Sequence, residues 1–391
     1  MTLFKDFSLS AAIAGFVTVL VGFTSAGVIV FQAAQSVGAS TTEIGSWLWA
    51  LGWGMGLTSI GLSLYYRVPI VTAWSTPGAA MLITTTADVT LSEAIGAFLI
   101  SGALIILVGF TGWFERLMKH LPLSLAAAML AGILLQFGLN IFVALQSQYL
   151  IVGTMLGIYI IMRRTLPRYA IIAALIMGIL TTGSQGLLQW EAIQIQWATP
   201  IFTAPQFSLN GLIGIAFPLF IVTMASQNVP GIATIRAFDY TVPSSPLIGW
   251  TGVATALLAP FGAFAINLAA ITAAISMGRE AHEDSNKRYW AAIAVGIFYI
   301  IVGVFGATVS SLFAALPQEL VWAIAGLALL GTIGKGLVTA LATEESREPA
   351  LITFLVTASG ITILGIGSAF WGLVIGLLVM TFFSIKPGRG R

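Results

Sequence analysis

The chain has 391 residues, of which 58% are hydrophobic and 8% charged, and its mean hydropathy is +1.00; no water-soluble domain of this length has that composition, so an integral membrane protein is expected. Its 16 basic and 14 acidic residues leave a net charge of +2, too dilute for a nucleic-acid surface. The absence of cysteine excludes disulfides, thiolate catalysis and Cys-ligated metals, and the two histidines, His120 and His282, do not make a metal site.

A spanning helix takes roughly 20 apolar residues. Hydropathy and breaker residues predict spans 1 to 7 near 9–36, 43–66, 68–86, 92–113, 122–145, 148–163 and 168–188. Spans 8 to 14 follow near 208–236, 244–260, 261–278, 288–312, 317–342, 349–366 and 367–385. The run after Lys5 is too long for a signal-peptide core and reads as a retained first helix. Span 1 carries the mid-membrane cluster Gly22, Phe23, Thr24, Ser25, Ala26, Gly27. Thr24 and Ser25 are candidate substrate contacts, although small hydroxyls commonly bond their own helix backbone. Span 2 opens with Ser40 and Glu43 at capping-box spacing, as Thr90 and Glu93 do before span 4. Its Gly52, Gly54 and Gly56 permit close helix contact.

Span 3 is the first interrupted one. Arg67 and Pro69 mark an extended lead-in, because a residue before proline is pushed out of the helical region. Trp74, Ser75, Thr76 and Pro77 follow. Ser75 or Thr76 is expected as N-cap with Pro77 at the first helical position. A helix start inside an apolar run leaves backbone N–H groups in the membrane, tolerated only where they line a cavity or meet a ligand; a proline kink closed by neighbouring helices is the plainer alternative. Trp74 could wall a flat apolar ligand or simply pack.

The segment 189–207, with Ile193, Ile195 and Trp197 alternating against polar residues, is expected to join two halves on the outer face. Trp47, Trp49, Trp113, Trp190, Trp197, Trp290 and Trp322 are expected near the interfaces, as an aromatic belt. Span 8 holds Thr223, Met224, Ala225, Ser226, Gln227, Asn228, Val229, Pro230, Gly231. Ser226, Gln227 and Asn228 are costly in lipid, must face protein or water, and are candidate substrate contacts. Span 10 offers a counterpart to span 3: Gly262 gives an extended lead, Phe264 could bound a ring, and Asn267 is a candidate N-cap of a short half-helix. Two helix N-termini would then face each other, each worth about half a positive charge. Asn267 could instead bond between packed helices.

The basic residues test this count, since short Lys/Arg-rich loops stay cytoplasmic. Lys5, Arg67, Arg116, Lys119, Arg163, Arg164, Arg168, Arg236, Arg279, Lys287, Arg288, Arg347, Lys386, Arg389 and Arg391 all fall at the N-terminus or after even-numbered spans. Lys335 sits within the last turns of span 12, on the same side. Both termini are predicted cytoplasmic. Gly109, Gly112, Leu121, Pro122, Gly132 recur as Gly303, Gly306, Leu316, Pro317, Gly326, at offsets of 194 or 195, and Gly102 matches Gly296. Seven spans per repeat is odd, so the second half enters the membrane inverted, which is the plan of secondary transporters. The expected organisation is a first repeat over 1–190, an extracytoplasmic linker over 191–207 and an inverted repeat over 208–391.

Asp6, Glu43, Asp88, Glu93, Glu115, Glu191, Asp239, Glu280, Glu283, Asp284, Glu319, Glu344, Glu345 and Glu348 all fall at span ends or in loops. No proton-coupling residue is identified. Glu319, in the first turn of span 12, is the remaining candidate, and an acid favoured by the helix dipole is its competing explanation.

Tyr66 to Ala80, Val222 to Gly231, Ala269 to Ile275 and Val356 to Gly372 together resemble the BenE-type benzoate/proton symporters over essentially the whole chain. The resemblance implies an all-α polytopic membrane protein of the nucleobase permease, SLC4 and SLC26 fold: fourteen segments in two inverted repeats of seven, a core and a gate domain, often dimeric. It implies inner-membrane import of benzoate or a related aromatic carboxylate with protons. It places the site between discontinuous spans 3 and 10, with spans 1 and 8 beside it. Nucleobase permeases carry an acid on span 8; here the stretch is Ala225, Ser226, Gln227, Asn228, which argues against uracil or purines. The expected mechanism is an elevator in which spans 1 to 4 and 8 to 11 move. An uncoupled facilitator or channel for small anions is the alternative. A membrane enzyme is disfavoured because no Cys, His cluster or paired carboxylates lie at depth, and no cofactor or metal is expected.

Overall fold

A computed structural model of the chain describes residues 8–85, 89–114, 122–189, 191, 193–270, 272–279, 281–363 and 366–384. Lys5, Asp6, Asp88, Glu115, Arg116, Lys119, His120, Leu121, Trp190, Glu280, Lys386, Arg389 and Arg391 lie outside the described residues, as do the side chains of Thr24, Ser25 and Arg168.

The first half runs α1 (Leu9–Ser36), α2 (Thr41–Tyr66), β1 (Thr72–Ala73), α3 (Thr76–Thr85), α4 (Leu91–Phe110), α5 (Leu123–Ser147), α6 (Tyr149–Thr165) and α7 (Ala170–Ser184). The second begins with α8 (Leu209–Arg236), then α9 (Ser244–Leu258), β2 (Asn267–Leu268), α10 (Ala273–Met277), α11 (Tyr289–Val304) and α12 (Gly306–Ala314). It closes with α13 (Gln318–Leu341), α14 (Glu344–Ala358), the hairpin β3 (Thr362–Ile363) and β4 (Ile366–Gly367), and α15 (Ser368–Ser384). Among the described residues, five helices are long and apolar enough to cross a membrane by length and composition: α4, α5, α8, α11 with its leading turn, and α13; α1, bent by 43° between Leu9–Phe23 and Ala26–Ser36, makes a sixth. Span 11 of the sequence reading divides into α11 and α12 at Phe305.

Both predicted capping boxes form. Ser40 and Glu43 exchange side-chain and backbone hydrogen bonds at the start of α2, and Thr90 and Glu93 do so at α4, which uses these two carboxylates structurally. The helices pack through glycine. A Cβ on Gly52 would lie 2.6 Å from Gly303 Cα, and one on Gly109 would lie 2.4 Å from Gly249 N. The α2/α11 and α4/α9 crossings are therefore backbone-to-backbone, the close approach that small residues permit in membranes. The most extensive helix pair among the described residues is α5 with α13.

The linker binds the helix ends through its backbone. Gln196 N–H donates to Thr308 Oγ1 at 3.0 Å, Ala198 N–H to the Val304 carbonyl at 2.8 Å, Ile201 N–H to Ser46 Oγ at 2.8 Å and Gln206 N–H to the Ser92 carbonyl at 2.9 Å. Its alternation does not bury the apolar side: Ile195 is 85% and Trp197 70% exposed, Trp197 stacking on Phe305. Of the tryptophans expected near the interfaces, Trp47 packs inside the protein against Phe98 and Phe264, and Trp290 is buried as well.

Candidate functional site

The break in span 3 is made by α2 as much as by its own prolines. Residues 69–75 leave the helical conformation, and non-helical backbone in a membrane interior must find partners. Ser63 supplies both for Ile70: its hydroxyl accepts the Ile70 N–H at 3.0 Å and donates to the Ile70 carbonyl at 2.9 Å. One turn earlier, Ser59 Oγ accepts the Thr72 N–H at 3.0 Å, and Thr72 Oγ1 donates to the Met55 carbonyl at 2.9 Å. Ser59 and Ser63 are four apart, so one face of α2 presents both hydroxyls.

β1 then pairs antiparallel with β2, Thr72 opposite Leu268 and Ala73 opposite Asn267. Ala269 N–H donates to the Val71 carbonyl at 2.9 Å and extends the ladder. The two interrupted stretches therefore meet in the protein interior, as expected. Thr255 of α9 serves the second leg as Ser59 serves the first: its hydroxyl accepts the Ile266 N–H at 2.9 Å.

The α3 start follows the sequence with one adjustment. Ser75 is the cap, its hydroxyl accepting the Gly78 N–H at 3.1 Å and its carbonyl the Ala79 N–H at 2.8 Å. Thr76 is therefore the first helical residue and Pro77 the second, not the first. Pro77 has no N–H to offer and those of Gly78 and Ala79 are used, so Thr76 N–H is the donor left over. A Cβ on Gly78 would stand 2.5 Å from Leu219 Cδ1 of α8, so Leu219 would have to shift to admit one.

In span 10 the expectation fails. Asn267 is a strand residue and not an N-cap, and the helix after it, α10, starts only at Ala273 and has five residues. The half-helix of this span is α10, which begins six residues after Asn267. The pairing of β2 with β1 wins over the capping preference of asparagine, because the ladder satisfies the backbone that a cap would have served. Asn267 is fully buried. Its Nδ2 donates to the Ala265 carbonyl at 2.8 Å, and its Oδ1 has no partner. Phe264 does not bound an open space either: it is fully buried within ring contact of Trp47 and Phe98. Trp74 is 5% exposed and packs edge-on against Phe23, with centroids 4.7 Å apart.

α8 contains the feature that sequence reasoning missed. Two π turns, Leu212–Ala216 and Met224–Asn228, interrupt it, and each is followed two residues on by a proline, Pro218 and Pro230. A proline ring clashes with the carbonyl four residues back in an α-helix; a wider turn relieves that clash, so the two prolines were the available signal. The second π turn carries Ser226, Gln227 and Asn228. Asn228 is fully buried, accepts the Leu268 N–H on Oδ1 at 2.9 Å and directs Nδ2 to Met224 Sδ at 3.4 Å. It is thus committed to holding β2. Ser226 donates to the Val222 carbonyl. Gln227 is half-buried and forms no hydrogen bond to a described residue. Gly231 brings α8 onto β2, where a Cβ would lie 2.7 Å from Leu268 Cβ.

The site thus gathers Trp74, Ser75, Thr76 and Pro77 with Asn267 across the ladder and Asn228 behind it. Ala73, Thr76, Ala225, Ser226, Gln227 and Ala270 are partly exposed, whereas Thr72, Trp74, Ser75, Pro77, Met224, Asn228 and Ala269 are buried. Among the described residues the only buried charged side chain is Arg288. Its guanidinium donates to the carbonyls of Met277 at 2.9 Å, His282 at 2.8 Å and Glu283 at 3.4 Å, capping the C-terminal end of α10. Arg67 donates to Tyr289 Oη at 2.7 Å nearby. Glu319 lies in the first turn of α13, the position the helix dipole favours. No group of three or more His, Cys, Asp or Glu able to hold a metal occurs among the described residues.

A family model described as benzoate membrane transport protein, BenE, matches residues 5–382. The Escherichia coli K12 inner membrane protein YdcO is 48% identical over 97% of each chain. The benzoate membrane transport protein of Acinetobacter baylyi is 44% identical over 99% of this chain and 98% of its own. Among solved structures, SLC26A9 matches 97% of this chain and 66% of its own with a TM-score of 0.64 at 14% identity. The transmembrane domain of the cyanobacterial bicarbonate transporter BicA matches 98% of both chains with a TM-score of 0.58 at 14% identity. The fold is therefore a mostly helical membrane transporter fold.

Proposed function

The chain belongs to the benzoate membrane transport family, and from that premise we propose that it imports benzoate or a related aromatic carboxylate together with protons, as a secondary transporter of the bacterial inner membrane. The observation that carries the reading is the junction of two interrupted spans at β1 and β2, where backbone and amide groups lie bare of lipid in the only arrangement a bilayer tolerates.

Fourteen segments in two inverted repeats, 1–190 and 208–391 joined by 191–207, account for this junction. Thr72 and Asn267 are 195 positions apart, the offset of the glycine pattern, and so are Ala73 and Leu268. Exchanging the halves maps the pair Thr72 with Leu268 onto the pair Asn267 with Ala73, so the register is its own mate under a two-fold axis. The pairs α2/α11 and α4/α9 are mates under the same exchange, and α5/α13 maps onto itself. This supports a core of spans 1 to 4 and 8 to 11 that slides against a gate as an elevator; the Lys/Arg pattern places both termini in the cytoplasm in this proposal, and a homodimer is its proposed assembly. Trp74, Ser75, Thr76, Pro77, Gln227 and Asn267 are the proposed substrate-binding residues, with Ser226 and Asn228 beside them on α8.

Uptake of labelled benzoate into proteoliposomes, with and without an inward proton gradient and against protein-free vesicles, tests this reading. Gradient-driven accumulation above the protein-free rate, competed by substituted benzoates and not by uracil or sulfate, is expected. Equilibration without accumulation favours the facilitator, which the lack of a buried carboxylate among the described residues would suit. No protein-dependent uptake contradicts both.

A further inference from the structure

Proton-coupled carriers ordinarily place a titratable group at depth. Here every described acid is exposed or half-exposed, and the one buried cation, Arg288, is spent on three carbonyls. What the interior does contain at the junction of the two broken spans is an acceptor without a donor. Asn267 Oδ1 is buried and unpartnered, a costly state that calls for an explanation. Its orientation is fixed, because Nδ2 donates to the Ala265 carbonyl at 2.8 Å and a flipped amide would set two oxygens against each other. The other unpartnered buried oxygens, on Ser101, Thr223 and Thr357, are hydroxyls, which rotate to suit a partner. An amide carbonyl does not.

Asn267 faces Ala73 across the ladder, three residues before Thr76, so Thr76 Cα lies within about 10 Å of Ala73 Cα along the chain. The junction thus presents one donor, Thr76 N–H, and one acceptor, Asn267 Oδ1. A carboxylate offers acceptors only, and would be repelled by Asn267 Oδ1. A neutral carboxylic acid offers one acceptor, its carbonyl, and one donor, its hydroxyl.

Resting on the reading of the chain as a proton-coupled carrier of aromatic carboxylates, we propose that the coupled proton travels on the substrate: the acid is held neutral, its O–H donating to Asn267 Oδ1 and its carbonyl accepting from Thr76 N–H. On the loading side a carboxylate and a proton from water form one O–H bond; on the release side that bond breaks and both return to water. One proton accompanies each substrate, no net charge crosses, and no side chain is oxidised, reduced or left protonated.

Titration calorimetry of benzoate into the purified full-length protein tests this, between pH 5 and 8 and at each pH in two buffers of different ionisation heat. A benzoic acid with a pKa near 4 loses its neutral form tenfold per pH unit above that value. The expected result is uptake of one proton per benzoate bound and a Kd rising tenfold per pH unit. Benzamide, neutral and a donor, should compete independently of pH, and benzenesulfonate, permanently anionic, should not compete. Benzoate binding with no proton uptake and a flat Kd overturns the inference while leaving the carrier reading in place. Benzenesulfonate binding with proton uptake assigns the proton to a protein group and also overturns it. No benzoate binding at any pH overturns both readings.

Discussion

Asn228 Oδ1 accepts the backbone N–H of Leu268 at 2.9 Å, across 40 positions of sequence. This bond ties the π turn of α8 to β2, and through the ladder to β1, so three interrupted segments share one anchor. Replacing Asn228 with alanine leaves the Leu268 N–H buried without a partner, a loss of about 1–3 kcal/mol. The Asn228→Ala variant is expected to insert, to melt at a lower temperature in detergent and to lose most benzoate uptake. Full uptake at an unchanged melting temperature would show that β2 does not depend on it.

Ser75 caps α3 through the Gly78 N–H. Ser75→Ala removes that acceptor, and loss of such a cap costs about 1 kcal/mol. Uptake assays should give a raised KM for Ser75→Ala and near-normal kinetics for Ser75→Thr, which keeps the oxygen.

Gly262 has φ of +100°, and a Cβ there would fall 1.8 Å from Trp47 Cδ1. Both the left-handed backbone and the indole forbid a side chain. Gly262→Ala should give little monodisperse protein on size-exclusion chromatography. Gly61, in α2 with open space around it, is the control: Gly61→Ala is expected to stabilise by about 0.5–1 kcal/mol.

Arg288 closes the end of α10 on three carbonyls. Hydrogen bonds to a charged group contribute about 1.5–3 kcal/mol each, so Arg288→Met should lower the melting temperature more than any substitution in the exposed 283–286 turn. Arg288→Lys should recover only part of the loss, since an ammonium does not reproduce the planar fork. Thermal unfolding of both variants measures this.

Local chemistry made much of this architecture legible in the sequence. Proline and hydroxyl punctuation located the α3 start, and the spacing of Ser40 with Glu43 and of Thr90 with Glu93 gave two helix starts with their hydrogen bonds. What escaped was non-local. The pairing of Asn267 with Ala73 joins residues far apart in the chain, and nothing near Asn267 distinguishes a strand residue from a cap. The service of Ser59 and Ser63 to the lead of span 3 depends on which face of α2 turns inward. Trp47 looks like an interface residue by composition, and only the missing Cβ of Gly262 makes room for it in the core. The π turns of α8 were signalled by Pro218 and Pro230 alone.

The central claim, that an aromatic acid binds where α3 begins beside β2, is tested most directly by site-specific labelling, since the native chain has no cysteine. In a Thr76→Cys variant reconstituted in lipid, saturating benzoate is predicted to slow maleimide labelling at least threefold, while labelling of an Asn286→Cys variant in an exposed turn is unchanged. Equal labelling of the Thr76→Cys variant with and without benzoate, at concentrations that saturate its uptake, would contradict the account.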